Sequence, residues 1–461
     1  MNNNKLFDEF PKVSAKAWKQ QIQAGLKGAD YNESLVWGSP EGILVKPFYS
    51  LEDLQDSSLQ LSPEMEQWKI GQEIQLDSVN EANEKIRDTQ KRGAESFLIN
   101  IPSKQASLDD LFAGIDMRDV PVHFNFEEYP DKSLNKLIKS IPAEVASVHL
   151  GLDPVGYFAR YGSWRSIQDE DLGLAMNMCT SYAGKRKYYP LSVDMGLYQN
   201  AGANIVQQLA YGMAHANEYL QLLNDLELDA IGITFKVAIG GNYFFEIAKL
   251  RALRILWEKL SEAYGIEVQF HLTAFPSKRN KVIYDYNTNL LRTSTECLAA
   301  IVGGANTICN LPYDGLYHEE NEFADRLARN QLLILKHESY LDKVANPSEG
   351  SYYIETLTRQ LSEKALELFK QIEKGGGFLR QLKEHTIQRK IRESAKKEQQ
   401  AFDDSLEVLI GTNKYQNEAD RMKSELKRDP FLKKDRRKTS IEPVIERRLA
   451  EEIEKKRLDH E

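Results

Sequence analysis

The chain has 461 residues, 41% hydrophobic and 10% aromatic, enough to bury one large core with extensions or two ordinary domains, and too apolar for a disordered chain. Lys plus Arg is 60 and Asp plus Glu is 69, a formal charge of −9, which argues against a general nucleic-acid or anionic-membrane binder. The three cysteines (Cys179, Cys297, Cys309) form no CxxC pair, Met1–Phe10 lacks the apolar core of a signal peptide, and no run approaches the ~20 apolar residues of a membrane helix, so a reducing, cytoplasmic compartment is expected.

Residues 1–75 do not alternate regularly. Trp18–Leu26 has the spacing of a short amphipathic helix, and Trp37–Tyr49 that of a turn at Pro40 and Gly42 feeding a short extended piece. This region is expected to be an arm laid over something else, such as another subunit. From residue 78 the chain becomes regular. Helix-like Ser78–Gln90 precedes the strand Ser96–Ile101, helix-like Leu108–Phe112 precedes Val120–Phe126, and helix-like Ser133–Lys139 precedes Ser147–Leu152. A polar helical stretch leads to Leu191–Met195, and a long helix, Gly202–Leu223, leads to the strand Ala230–Val237. After a Gly240-Gly241-Asn242 break comes an amphipathic helix. Phe245, Ala248, Ala252, Ile255 and Leu256 share its apolar stripe, with Glu246, Lys249, Arg254 and Glu258 off it. The strand Glu267–Leu272, a helix at Leu290–Val302, the strand Thr307–Leu311 and a helix at Phe323–His337 complete the series.

About eight βα units over roughly 270 residues suit a TIM (β/α)8 barrel better than an open doubly wound sheet. Neither GxGxxG nor GxxxxGK[ST] occurs. The expected organisation is an N-terminal arm (1–75), the barrel (76–350), a C-terminal helical extension (351–412) and a charged helical linker or tail (413–461).

Residue patterns alone identify no catalytic set. His318-Glu319 and His337-Glu338 begin like HExxH but lack a second histidine four residues on, so they read as solvated helix residues. His271 is expected at a barrel strand end, where catalytic groups collect; a structural role is commoner for a lone strand histidine. Asp194 and Lys236 hold similar positions. The basic run Lys433–Lys438 reads as solvated linker, and Cys309 as a small core residue.

Longer phrases carry a resemblance. Val36–Ser50 (VWGSPEGILVKPFYS), Gly240–Trp257 (GGNYFFEIAKLRALRILW), Ala324–Asn330 (ADRLARN), Asn346–Glu355 (NPSEGSYYIE) and Gly411–Tyr415 (GTNKY) resemble methylmalonyl-CoA mutases, in the family's order across nearly the whole chain. The resemblance implies a TIM barrel threaded by acyl-CoA and followed by a cobalamin-binding domain. Catalytic members carry WTIRQY, whose tyrosine lies over the acyl group; Trp68–Glu73 (WKIGQE) puts Glu73 there. They also carry GYHMQEAGA with a substrate-contacting histidine; Met195–Ala203 (MGLYQNAGA) puts Leu197 there, which can neither donate to a thioester carbonyl nor act as an acid. No histidine stands in the cobalt-binding pattern DxHxxG, and Ile441–Arg457 resembles the linker before that domain.

The pattern is similar to the small (β) subunits of heterodimeric mutases. It implies a chain with no catalytic residue, no cofactor and no metal of its own, partnered by a large (α) subunit that holds adenosylcobalamin and interconverts succinyl-CoA and methylmalonyl-CoA. Two alternatives stay open. One is the catalytic barrel of a split mutase that borrows cobalamin from a separate protein; the other is a non-catalytic acyl-CoA-binding module.

Overall fold

The computed structural model describes residues 13–54, 67–102, 108, 110–128, 134–226, 228, 230–431 and 438–461. Its centre is a closed barrel of eight parallel strands: β1 (Lys69–Gln75), β2 (Ser96–Ile101), β3 (Val122–Phe126), β4 (Val148–Leu152), β5 (Tyr188–Asp194), β6 (Ala230–Ile239), β7 (Glu267–Pro276) and β8 (Thr307–Cys309). Each strand pairs with the next, and β8 closes on β1 with Ile308 opposite Ile70. Helices follow the strands, so the expected TIM barrel is the fold.

The strand period of two divides the barrel sharply. Ile70, Ile74, Phe97, Ile99, Val122, Phe124, Val148, Leu150, Ile233 and Phe235 face outward into one large apolar core beneath the helices. The opposite parity, Leu98 apart, is largely polar, although TIM-barrel lumens are ordinarily filled with Val, Ile and Leu. Close approach of strands requires glycine at two lumen positions. A Cβ on Gly71 would lie 2.2 Å from Cys309 Sγ, and one on Gly151, at φ +66°, would lie 2.0 Å from the Phe124 carbonyl oxygen.

Helix starts follow local chemistry. Ser78 Oγ accepts from Glu81 N, Asp153 from Gly156 N, and Asn204 with Gln207 forms a reciprocal capping box. The short helix expected at Leu108–Phe112 is a pair of turns instead (Asp109 lies outside the described residues); Asp110, at φ +74°, is left-handed and breaks a helix.

The helix Tyr243–Tyr264 corrects another expectation. Glu246 and Lys249, off the apolar stripe, are both buried, because Ile205–Asn224 and Tyr352–Lys374 pack against the helix on top of the barrel contact. They form an ion pair, and Lys249 Nζ also donates to Ala238 O at 2.7 Å and Gln208 Oε1 at 3.1 Å. Arg251, 2% exposed, meets Glu355 and Asn346, each at 2.6 Å. Buried charges persist here because each has a partner of opposite charge, and Lys249 and Arg251 add hydrogen bonds.

In the N-terminal region, helix Ala15–Gly25 buries no residue, and a two-rung hairpin pairs Trp37–Gly38 with Leu44–Val45. The hairpin rests on the barrel: Ile43 is buried and Trp37 meets Phe245 edge-on. Trp18, Trp37, Leu44 and Leu51 nonetheless expose much of their apolar surface.

At the other end, residues 441–449 cross the C-terminal face of the barrel. Ile441 N donates to Gly162 O, Val444 N to Ala159 O, Arg447 N to Asn200 O and Leu449 N to Arg279 O. Leu449 and Ala450 pack with Val282, Phe402 and Leu409 in a satellite core, and helix Glu451–Asp459 follows.

Candidate functional site

A cleft of about 320 Å³ opens at the C-terminal end of the strands, the position of active sites in this fold. Glu73 of β1, Asn125 of β3, Asp194 of β5, Lys236 of β6 and Cys309 of β8 line it, and Arg160 and Glu446 stand at its rim. Three of its charges, Arg160, Asp194 and Glu446, are paired with one another. Arg160 donates to Asp194 Oδ2 and to Glu446 Oε2, each at 2.7 Å, and Asn200 Nδ2 donates to Glu446 Oε1 at 3.1 Å. Burial would lower the Arg160 guanidinium, but Glu446 and Asp194 more than offset that and hold it above its ordinary value. The same contacts hold the Glu446 carboxyl below its usual range against the opposing effect of burial. Lys236 donates to Asn125 Oδ1; burial brings its amine below the ordinary lysine value in spite of Asp194 and Asp153.

From the cleft wall, Asp153 organises a relay that runs inward. Its Oδ2 accepts from Asp194 N at 3.0 Å, and its Oδ1 lies 2.6 Å from the Tyr219 hydroxyl and 2.8 Å from His215 Nε2. Tyr198 OH meets His215 Nδ1 at 2.9 Å. This relay fixes the loop ends that carry Asp194 and the helix Pro154–Tyr161.

Below Asn125 and Lys236, the lumen holds His123, His149 and His271, all buried. The rings of His123 and His149 stack at 4.0 Å between centroids, and His271 lies 4.2 Å from His149 and 5.1 Å from His123. His149 Nδ1 meets Thr234 Oγ1 at 2.7 Å and its Nε2 meets Ser147 Oγ at 2.8 Å; His271 Nε2 meets Thr307 Oγ1 at 3.1 Å. Burial lowers all three, His271 to about 3 and the others well below the ordinary histidine value, so they are neutral near pH 7.

Asp194, Lys236 and Cys309 thus share one cleft, as strand-end positions suggest. His271 does not: β7 runs on to Pro276, which leaves the imidazole at mid-strand and deep in the lumen. Glu73 lines the cleft. Leu197, 1% exposed, is part of the apolar core and is not among the lining residues. His318 and His337 join no metal-binding group among the described residues. The basic run falls outside the described residues except for Lys438. The trio that residue-by-residue reading missed had a signal, the repeated phrase Val122-His-Phe-Asn-Phe126 and Val148-His-Leu-Gly-Leu152, whose histidines are register partners.

Fold and cleft together define a (β/α)8-barrel protein with a largely polar lumen and a mouth in which Arg160, Asp194 and Glu446 pair with one another. The methylmalonyl-CoA mutase family model matches residues 99–459. The methylmalonyl-CoA mutase small subunit of Porphyromonas gingivalis is 34% identical over 444 residues, 90% of this chain and 71% of that relative. The small subunit of Propionibacterium freudenreichii subsp. shermanii is 26% identical over 416 residues, covering 81% of this chain and 64% of the relative. The mitochondrial methylmalonyl-CoA mutase of Homo sapiens is 27% identical over 457 residues, 87% of this chain and 60% of that protein. The chain belongs to the methylmalonyl-CoA mutase family, and its match spans about two thirds of the length of these relatives.

The resemblance implies adenosylcobalamin for the family, with the cobalt-binding histidine in a separate domain. No histidine is among the residues that line the cleft, and Glu446 is tied to Arg160 at its rim, so among the described residues the mouth offers cobalt no imidazole. No helix among the described residues is long and apolar enough to cross a membrane.

Proposed function

We propose that this chain is the small subunit of a heterodimeric methylmalonyl-CoA mutase and contributes structure, not catalysis. The observation that carries the reading is the chemistry of the cleft. Where the family resemblance calls for a tyrosine over the acyl group stands Glu73, and Leu197, in the histidine's place, lies in the apolar core. Three of the cleft's charges, Arg160, Asp194 and Glu446, are held by one another, so a substrate reaching for them would have to break those contacts before gaining its own.

On this reading a large subunit carries adenosylcobalamin, which supplies the radical for interconverting succinyl-CoA and methylmalonyl-CoA. The present chain stabilises that subunit through an obligate interface. The exposed Trp18, Trp37, Leu44 and Leu51 of the arm support this, since a permanent interface typically buries ~2,000 Å² or more with an apolar centre. Three free, buried cysteines suit a reducing cytoplasm.

The test is mutase turnover with succinyl-CoA and adenosylcobalamin for this chain alone, the large subunit alone, and the mixture. Turnover or a raised melting temperature of the large subunit only in the mixture is expected. Turnover by this chain with a free cobalamin-binding domain would overturn the proposal.

A further inference from the structure

We propose that His123, His149 and His271 form a binding site in the barrel lumen for a transition-metal dication that favours nitrogen ligands, Zn²⁺ first among them. The three imidazoles come from β3, β4 and β7, and their ligand nitrogens all lie within 4.8 Å of one another. Exposures of 1%, 1% and 6% put the cluster out of bulk water.

His123 is the independent pointer to a ligand. Neither of its ring nitrogens has a hydrogen-bond partner. Leaving a buried polar group unpaired destabilises the fold, and an ion coordinated by that ring removes the deficit. The other two rings are already oriented. Thr234 and Ser147 hold His149 through its two nitrogens, and Thr307 holds His271 through Nε2. A hydrogen bond from one ring nitrogen while the other faces a metal is the usual way a ligating histidine is positioned, and here hydroxyls take that place. When the ion binds, the Ser147 hydroxyl gives way at Nε2 and Thr234 keeps its hold on Nδ1.

The donor set selects the ion. Three neutral imidazoles with no carboxylate or thiolate disfavour Mg²⁺ and Ca²⁺, which take oxygen ligands, and favour Zn²⁺, Co²⁺, Ni²⁺ or Cu²⁺. Three histidines leave a fourth tetrahedral position for water. Because the His123 and His149 rings are stacked with planes 10° apart, their lone pairs converge only when one ring turns. His123, without a hydrogen bond to hold it, is the ring that turns. Access is from the cleft, whose lining residues Asn125 and Lys236 are the next inward-facing positions above His123 and Thr234 on the same strands.

The purified full chain, stripped with chelator, is titrated with Co²⁺ and Zn²⁺. One Co²⁺ per chain with the intense visible absorption of a tetrahedral site, displaced by Zn²⁺ and not by Mg²⁺, is expected, with a higher melting temperature in Zn²⁺. His123→Gln and His271→Gln, each checked for native circular dichroism, are expected to lose ~100-fold or more in affinity. Thr234→Val is expected to lose ~10-fold, since orienting partners alone are worth about 10–100-fold. If wild type takes up neither ion, or if both Gln variants bind as tightly as wild type, the lumen holds no metal site and the proposal fails. If His123→Gln or His271→Gln does not fold, the wild-type stoichiometry, spectrum and the Thr234→Val affinity decide the matter alone.

Discussion

Replacing Lys281 with methionine isolates one buried charge in the loop that receives the C-terminal segment. Lys281 Nζ lies 2.8 and 2.9 Å from the two oxygens of Glu296, and both side chains are 1% exposed. The Lys281 carbonyl accepts from Arg448, and Ile283 N donates to Glu454 at 2.9 Å, so the loop and the segment share this anchor. At 2.8 Å and an effective dielectric of ~20, the gross attraction is roughly 6 kcal/mol. Most of that offsets desolvation in the wild type. In Lys281→Met the Glu296 carboxylate stays buried with its cation gone, which costs about 3–5 kcal/mol at pH 7. Burial already holds the Glu296 carboxyl above its ordinary value, against the lowering effect of Lys281, and the variant raises it further. A carboxyl raised in the folded state costs stability as pH rises through the folded value, so the deficit is smaller at pH 5 than at pH 7. Urea unfolding at both pH values, followed by circular dichroism and tryptophan fluorescence, measures it. Lys281→Met/Glu296→Leu is expected to recover to within about 1.5 kcal/mol of wild type, because an apolar pair of similar volume needs no desolvation. A single-variant loss under about 1 kcal/mol at pH 7, or a double variant no better than the single, refutes the reasoning.

Gly71→Ala places a Cβ against Cys309 Sγ and is expected to cost about 1–3 kcal/mol in unfolding free energy, a loss that Cys309→Ala partly restores in the double variant. Glu446 has its pKa lowered by Arg160 and further contacts, so its contribution is present above the ordinary carboxylate range and is lost as pH falls through the lowered folded value. Glu446→Gln is therefore expected to show at pH 7 the faster hydrogen exchange at residues 441–449 that wild type shows only in acid. Cys179, Cys297 and Cys309 are buried, with thiols raised above the ordinary value chiefly by burial. The native chain is expected to resist an aromatic disulfide reagent at pH 8 and to release three thiols in denaturant.

The barrel was legible because strand and helix signals are local. Ser96-Phe-Leu-Ile-Asn-Ile101 is a strand to the residue, and each βα unit carries its own apolar pattern and caps. The phrases shared with the mutase family run in order along the chain and led to the family that the comparisons show. Element ends were less legible. β7 passes His271 to reach Pro276 because pairing with β6 continues to Ile239, a fact about the neighbouring strand.

By itself, then, the chain specified eight βα units and the mutase resemblance. Only the tertiary structure decided that residues 441–449 lie across the mouth, that Glu246, Lys249, Lys281 and Glu296 are buried ions, and that His123, His149 and His271 converge. The physical reason is closure. Strand parity tells which residues face inward, but groups far apart in sequence meet only when parallel strands join in a fixed register around a ring, and burial and ion pairing follow from that packing.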